Sequence, residues 1–204
     1  FPRLLSPFIL RVRWRILIKM KDAFHTFEPH FSTHKTKRNA EIEFRLGRKG
    51  NGMFDTNVGE PVFRKLLHAL DKYKGWESVE IEEYDMYYGA NNIRTTVYPD
   101  GTENSIIKAR VTNVDHNSSD LPFDIRMGIS TENPIDVPDG IEYEMSKHKE
   151  RTSFVRKNLR IDMSVVSGDP DDKDCEDERE YQIEFEIMKL NKVKNRNDLY
   201  NHVY

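Results

Sequence analysis

The sequence is poor in cysteine, lacks an apolar run long enough to cross a bilayer, and has no large excess of either charge. Cys175 is the only cysteine in 204 residues, which excludes an internal disulfide framework and a cysteine-based zinc cluster. The formal net charge of -3 excludes a whole-chain basic field of the kind that marks many nucleic-acid binders. We therefore expect an intracellular protein with no membrane partner.

Charged residues are abundant, at 33% of the chain, and aromatic residues reach 11%, so a folded and unusually polar domain is expected. Arginines interrupt the short apolar segments between Phe1 and Lys19, and Met20 is a candidate start. We treat residues 1–39 as an N-terminal extension of uncertain status and residues 40–204 as a single domain. Pro29 and the polar residues around it predict a loop over 22–38.

Short segments with alternating apolar and polar residues follow one another from residue 40 onward, and turn residues separate them. One helix is predicted from Glu60 to Tyr73, with Pro61 in its first turn, and a second begins within Arg196–Tyr204. The predicted fold is mainly β (α+β), an eight-stranded antiparallel closed barrel with a polar lumen and one or a few helices outside. The predicted strands are Ala40–Gly47, Val79–Tyr88, Asn92–Tyr98, Ser105–Val111, Phe123–Thr131, Glu142–Ser153, Leu159–Val165 and Tyr181–Lys189.

Paired glutamates occur on the first and last predicted strands. Glu41 and Glu43 share one strand face, and Glu184 and Glu186 share another, because side chains alternate between the faces of a strand. If the two pairs meet across a closed sheet, their oxygens form a hard site suited to Mg²⁺ or Mn²⁺.

The middle strands carry cations on one face and apolar residues on the other. Two interpretations remain open: the charged faces are solvated around one apolar core, or they line the lumen of a closed barrel. The second arrangement would place anion-binding cations opposite a metal-binding acid cluster and would suit a polyphosphate. The residues concerned are Arg94, Lys108, Arg126, Lys149, Arg151 and Arg160.

Five segments resemble, in order, motifs of the triphosphate tunnel metalloenzymes. The first is EIEFRLG at 41–47 and the last is YQIEFEI at 181–187. Between them, DIRMGISTE at 124–132, KERTSF at 149–154 and RIDMS at 160–164 are similar to strands of the fungal, protozoan and DNA-virus RNA 5′-triphosphatases of mRNA capping. The resemblance covers about residues 40–190.

The resemblance implies a metal-dependent hydrolase that removes the γ-phosphate from 5′-triphosphate RNA as the first step of mRNA capping, and that also cleaves nucleoside triphosphates. It further implies an RNA guanylyltransferase partner, fused or separate, and a location in the nucleus, a viral factory or a virion. The implied ligands of Mg²⁺ or Mn²⁺ are Glu41, Glu43, Glu184 and Glu186.

For the phosphates, the resemblance implies Arg94, Lys108, Lys149, Arg151 and Arg160. The implied catalytic set is Glu132, Lys149, Arg151, Arg160 and Asp162. Glu132 is a candidate to orient or deprotonate the attacking water, or is a structural ion-pair partner. Gln182, Ser164 and Arg126 are supporting residues.

Three positions depart from the family pattern: Gln182 replaces a third glutamate, Ser164 a threonine and Arg45 a lysine. Gln182 removes one negative charge, so weaker metal binding is expected. Three other functions remain open. They are a tunnel enzyme for inorganic triphosphate, thiamine triphosphate or free nucleotides, a barrel that binds phosphate or RNA ends without turnover, and an interaction domain with an apolar barrel interior.

Overall fold

Nine strands and two helices follow one another in the structure, a computed structural model that describes residues 24–117, 122–137, 140–169, 179–195 and 197–198. The helices are α1 (24–34) and α2 (Glu60–Lys72). The strands are β1 (Ala40–Gly50), β2 (Met53–Asp55), β3 (Ser78–Gly89), β4 (Ile93–Val97), β5 (Glu103–His116), β6 (Asp124–Pro134), β7 (Tyr143–Arg156), β8 (Leu159–Ser167) and β9 (Glu180–Ile187).

Eight of the strands close into an antiparallel barrel in the order β1-β6-β5-β4-β3-β7-β8-β9. The ring closes where β9 pairs with β1, with Phe185 opposite Phe44. Strand β2 extends the sheet only as the second arm of a hairpin with β1. The predicted eight-stranded barrel is confirmed, and closure removes the unpaired edges that an open sheet would expose.

The main apolar core lies outside the barrel, beneath the two helices. Phe24, Phe27 and Phe31 lie on one side of α1 and pack against the outer faces of β1 and β6, including Ile42 and Met127. On the other side, α2 covers the outer faces of β8 and β9 through a second cluster that contains Phe63, Ile161, Met163 and Ile183. The prediction that the helix beginning at Glu60 packs outside the sheet is confirmed.

The loop predicted over 22–38 is wrong for most of its length, because residues 24–34 form α1. Pro29 removes one backbone donor from the helix interior, which ordinarily weakens a helix. Three buried phenylalanines at spacings of three and four residues anchor one helix face to the barrel and outweigh that loss. Tertiary packing, rather than local propensity, decides the structure here.

Among the described residues, the outer faces of β3 and β4 contribute to neither core cluster, whereas β5 joins the core beneath α1 through Val111 and Val114. Ile81 on β3 is 82% exposed, and Val79 beside it is also exposed. These strands are held by their backbone ladders and by turns such as the predicted one at Pro99-Asp100-Gly101. In that turn Gly101 has a φ of 83°, and the backbone N–H of Thr102 donates to Asp100.

Several predictions fall outside the described residues: the segment Phe1–Lys19, Cys175, and the helix within Arg196–Tyr204 apart from residues 197 and 198. None of the helices in the described ranges is both long enough and apolar enough to cross a membrane.

Candidate active site

The barrel encloses a cavity of about 490 Å³, here called the lumen, and most of the side chains that line it are polar or charged. They face inward because each strand alternates, and the apolar residues of β1, β6, β8 and β9 are buried beneath the helices. The predicted polar lumen is confirmed. An apolar barrel interior with solvated charged faces is excluded for the described residues.

The four paired glutamates lie on neighbouring strands of the lumen wall, β1 and β9. Glu43 is directly opposite Glu186 across the closing ladder, and Glu41 and Glu184 lie two residues away along the same strands. Gly128 of β6 is opposite Glu43, and a Cβ at this glycine would lie 3.2 Å from Oε1 of Glu43. The glycine therefore leaves room for the Glu43 carboxylate.

The surroundings of these carboxylates move their pKa values in opposite directions. Burial raises the pKa of Glu43, and nearby Glu184 adds to the shift. Burial, with Glu41 nearby, also raises the pKa of Glu186, to about 7 despite Arg160. Burial would raise the pKa of Glu184 as well, but Lys149, Arg45 and Lys108 hold it well below its usual range. In this group of four glutamates, here called the acid wall, burial and neighbouring carboxylates therefore disfavour ionisation of Glu43 and Glu186 although each has an arginine partner.

The donor set fits a hard divalent cation in its chemistry, because it consists of carboxylate oxygens that raise one another's pKa values. Each carboxylate is currently paired with a cation. The Arg45 guanidinium lies 2.8 Å from oxygens of both Glu43 and Glu184, Lys108 bonds Glu41, and Arg160 bonds Glu186. Among the described residues, no three acidic or histidine side chains converge on one point. A cation would therefore have to replace these ion pairs.

Cations from β4 and β5 meet Glu132 of β6 in the lumen. Glu132 Oε1 lies 3.0 Å from Nη2 of Arg94 and 2.9 Å from Nζ of Lys108. Burial would raise the pKa of Glu132, but Lys108 and Arg94 lower it. The carboxylate is thus kept ionised, which makes it a good acceptor and a weak base.

Strand β7 contributes Lys149 and Arg151 to the same space. Lys149 is 8% exposed, and its Nζ lies 3.5 Å from Oε2 of Glu184. Arg151 donates from Nε and Nη2 to Glu82 of β3, and its guanidinium lies 5.2 Å from the centre of the Tyr84 ring. Two residues of β3 thus fix the direction of the Arg151 side chain.

Asp162 on β8 links a hydroxyl group and two arginines. Its Oδ1 accepts a hydrogen bond of 2.6 Å from Ser153, and its Oδ2 accepts one of 3.1 Å from Nε of Arg160. Arg151 Nη1 lies 3.7 Å from the same Oδ2. Because Asp162 is almost fully buried and every oxygen faces a donor or a cation, it can position Arg160 and Arg151.

The three supporting residues lie in different places. Gln182 lines the lumen and donates to Glu180, which is itself paired with Lys147. Ser164 is fully buried between β7 and β9, and its Oγ has no partner among the described residues. Arg126 lies outside the lumen, where it bonds both oxygens of Asp115.

Sequence reasoning missed Tyr84 and Glu82, the two residues that hold Arg151. Burial raises the pKa of Tyr84 to about 12, so the phenol keeps its proton at any physiological pH. The alternation of residues along β3 could have revealed them, because Glu80, Glu82, Tyr84 and Met86 share one strand face. In the structure, Glu82 and Tyr84 point inward from that face. The apolar residues Val79 and Ile81 on the opposite face obscured this pattern.

The closed barrel and its facing acidic and basic walls define a triphosphate tunnel metalloenzyme. The family model described as mRNA capping enzyme, beta chain, matches residues 89–202, which make up more than half of the 204 residues. The chain belongs to this family.

Relatives in sequence and structure agree with this assignment. The 5′RNA triphosphatase A449R of Paramecium bursaria Chlorella virus 1 is 29% identical over 154 residues, which are 75% of this chain and 77% of the relative. The mRNA-capping enzyme subunit beta of Cryptococcus neoformans var. neoformans serotype D is 26% identical over 85 residues, 41% of this chain and 21% of that protein.

Two solved structures share the fold. The Pct1 RNA triphosphatase of S. pombe has a TM-score of 0.68 at 17% identity, covering 98% of this chain and 85% of Pct1. The Mimivirus Capping Enzyme Triphosphatase has a TM-score of 0.63 at 13% identity, covering 88% of this chain and 93% of that one.

Proposed function

We propose that this protein is a metal-dependent RNA 5′-triphosphatase that hydrolyses the γ-phosphate of a 5′-triphosphate RNA end and leaves a 5′-diphosphate. This is the first step of mRNA capping, and hydrolysis of free nucleoside triphosphates is a side activity. The names of the viral relative and of both solved structures support the substrate class.

One observation carries the proposal: a wall of carboxylates faces a wall of cations across a single enclosed lumen. Glu43 and Glu186 lie side by side on β1 and β9, while Lys149 reaches from β7 towards Glu184. A triphosphate with its cation carries both kinds of charge and can engage both walls at once.

The four glutamates of the acid wall are proposed to hold Mg²⁺ or Mn²⁺. They are Glu41, Glu43, Glu184 and Glu186. When bound, such a cation offsets negative charge on the phosphate and polarises its oxygens. With a cation held there, Arg45, Lys108 and Arg160 would no longer have to neutralise these glutamates, and Lys108 would keep Glu132 and Arg160 would keep Asp162 as partners. Lys108 and Arg160 can then donate to phosphate oxygens without leaving an unpaired buried charge behind.

The remaining cations are proposed to bind phosphate oxygens from the opposite side. Arg151 is pre-oriented by Glu82 and Tyr84, and Lys149 is nearly buried, so both can act with little reorganisation. Arg94 joins them from β4. Donors that are already aligned stabilise charge in the transition state more than mobile ones do.

Glu132 is proposed to be a positioning residue that aligns Arg94 and Lys108 and can accept a hydrogen bond from the attacking water. Its lowered pKa supports this role over proton abstraction, because a weak base removes a proton from water slowly. Asp162 is proposed to position Arg160 and Arg151 in the same manner.

A 5′-diphosphate RNA end is the substrate of guanylyl transfer, so we propose that the protein works with an RNA guanylyltransferase, fused or separate. The proposed location is the site of capping, either the nucleus or, for a viral protein, a viral factory or the virion.

The proposal is tested by measuring phosphate release from 5′-triphosphate RNA, ATP and inorganic triphosphate at equal concentration, each with Mg²⁺, Mn²⁺ or EDTA. We expect the highest kcat/KM for the RNA, weaker release from ATP with Mn²⁺, and none with EDTA. A preference for inorganic triphosphate would contradict the RNA assignment and support a different tunnel phosphohydrolase. Tight phosphate binding without turnover would support a binding barrel.

A further inference from the structure

A second cavity, of about 850 Å³, joins the lumen on the side formed by β4, β5 and β6. We call it the side cavity. It shares Glu43, Arg45, Tyr88, Arg94 and Lys108 with the lumen, so the two spaces adjoin along these side chains. Its further polar lining consists of Asn91, Asn92, Arg110, Asn113, Arg126 and Ser130, together with Glu144.

Positive charge predominates in the side cavity, unlike in the lumen. Its lining includes Arg45, Arg94, Lys108, Arg110 and Arg126 but only two carboxylates, Glu43 and Glu144. At the other side of the same barrel end, a cavity of about 370 Å³ has Asp55 and Glu180 beside Lys147. The cation excess therefore marks one exit from the lumen, and an anionic chain would follow that exit.

A β-bulge in β5 directs side chains into this space. Arg110 pairs with Ser130 and Thr112 pairs with Ile129, so Val111 is the extra residue. The bulge changes the alternation, and both Arg110 and Asn113 line the side cavity along with Lys108. Re-aiming of side chains beside an active site is a recurring use of such bulges.

The β3–β4 turn supplies a second polar rim. Asn91 and Asn92 follow one another in the left-handed region, with φ values of 58° and 61°. Asparagine tolerates this conformation better than other residues with a Cβ, so the turn brings two amide side chains to one edge of the cavity. Tyr88, at the end of β3, adds an aromatic ring that borders both the lumen and the side cavity.

We propose that the side cavity binds the first nucleotides of the RNA chain whose triphosphate end lies in the lumen. Arg110 contacts a phosphodiester, the asparagine amides bond sugar or phosphate oxygens, and Tyr88 offers a surface on which a base can stack. The proposal rests on the RNA 5′-triphosphatase function and specifies where the RNA leaves the barrel.

Arg110 is the residue on which the proposal depends most. Arg126 is held by both oxygens of Asp115 and lies over the Phe54 ring, at 4.5 Å from its centre. Arg110 is exposed and has no ion-pair partner within the described ranges. Binding a phosphate through Arg110 therefore breaks no ion pair among the residues that the structure describes.

These contacts distinguish an RNA end from other triphosphates without reading its sequence. Phosphate and sugar contacts carry no base information, and stacking accepts every base. Inorganic triphosphate has no group to place in the side cavity, and ATP places only one nucleoside there. Affinity should therefore rise with RNA length over the first nucleotides and then become constant.

The test is equilibrium binding of a 3′-labelled 5′-triphosphate decaribonucleotide, followed by fluorescence anisotropy, with inorganic triphosphate as an unlabelled competitor. We expect Arg110→Glu to raise the Kd of the decamer roughly tenfold. The factor by which the Kd rises should be at least about fivefold larger for the decamer than for inorganic triphosphate. For Arg110→Ala, the slope of log affinity against log salt should fall by about 0.7, which corresponds to one lost phosphate contact on a single strand.

The control variant is Lys65→Glu, which reverses an exposed charge on α2 far from the barrel exit and should change neither affinity. Equal losses for both ligands with Arg110→Glu, or no loss for the decamer, would overturn the proposal. Binding is measured in EDTA, where no turnover is expected, so it does not depend on hydrolysis. An RNA-specific loss in a protein that releases no phosphate with either metal would support the side cavity and contradict the hydrolytic function.

Discussion

The two halves of the barrel differ on both faces. In the covered half (β1, β6, β8 and β9), the outer faces are apolar and buried beneath α1 and α2. In the open half (β3 and β4), no described residue belongs to either cluster, and Ile81 of β3 is exposed, whereas β5 reaches the core beneath α1 through Val111 and Val114. Strand β7 lies between the two halves. Its Phe154 belongs to the core under α2, and it pairs with β3, whose outer face has no helix over it in the described ranges.

The inner faces differ as well. Six carboxylates line the lumen from the covered half, while the inward Glu82 of β3 is held by Arg151, and five of the seven cations stand on β4, β5 and β7. Crowded carboxylates repel one another and need a rigid support, which the packed helices provide. The cations are less restricted, because Lys108, Lys149 and Arg151 stand on strands that reach the core, whereas Arg94 stands on β4, which does not. The carboxylates that line the lumen are therefore confined to strands with core packing behind them, and the cations are not.

The largest expected effect concerns stability. Phe27→Ala removes a fully buried ring from beneath α1, so the free energy of unfolding should fall by about 3–5 kcal/mol. Ile81→Ala, on the bare face of β3, should change it by less than about 0.5 kcal/mol. Chemical denaturation of both variants measures the contrast. Similar losses would show that the two halves are equally packed.

Next comes a pair of glutamates that face opposite sides of the barrel wall. Glu43→Gln, in the acid wall, should lower kcat about a thousandfold while changing the free energy of unfolding by less than about 1 kcal/mol, because the buried carboxylate is costly to keep ionised. Glu83→Gln, on the exposed outer face of β3, should leave kcat unaltered. Unfolding of the Glu43 variant would instead identify this residue as a structural partner.

The third contrast compares two substitutions of Arg151, one of the cations that lie opposite the acid wall. Arg151→Ala should lower kcat about a hundredfold, because an aligned donor to transition-state charge is lost. Arg151→Lys keeps the charge but not the planar fork, so it should recover only part of the rate. Steady-state kinetics on 5′-triphosphate RNA distinguishes the two, and a rate equal to wild type in Arg151→Ala would remove this arginine from the site.

The smallest expected effect tests the departure at Gln182. Gln182→Glu adds a carboxylate to the acid wall, where it also meets Glu180, and the half-saturating Mn²⁺ concentration should fall about fivefold. Titration of activity with Mn²⁺ measures this shift. An unchanged or higher half-saturating concentration would show that the amide does not limit metal binding.

Much of this arrangement follows from alternation along single strands. The pattern of charged and apolar residues placed Glu41 with Glu43, and Lys149 with Arg151, on common faces, and the structure turns both faces into the lumen. Helix α1 could not be predicted from the local sequence, which contains Pro29. Its phenylalanines stabilise the helix by packing against the barrel surface, and that contact is not visible in the sequence.

Contacts between strands that are distant in sequence also could not be predicted from the alternation of residues along single strands. Glu82 meets Arg151 only because β3 pairs with β7, and this register depends on the whole ring. The bulge at Val111 likewise depends on how β5 pairs with β6, and it turns Arg110 and Asn113 towards the same cavity. Partners of this kind become visible only once the barrel is closed.

The most direct test of the facing walls is the identity of the product released from RNA that carries a labelled γ-phosphate. With Mn²⁺ or Mg²⁺, we expect labelled orthophosphate and an RNA with a 5′-diphosphate end, and no release with EDTA. Release of labelled pyrophosphate with a 5′-monophosphate end, or no release from folded protein with either metal, would contradict hydrolysis of the γ-phosphate in the lumen.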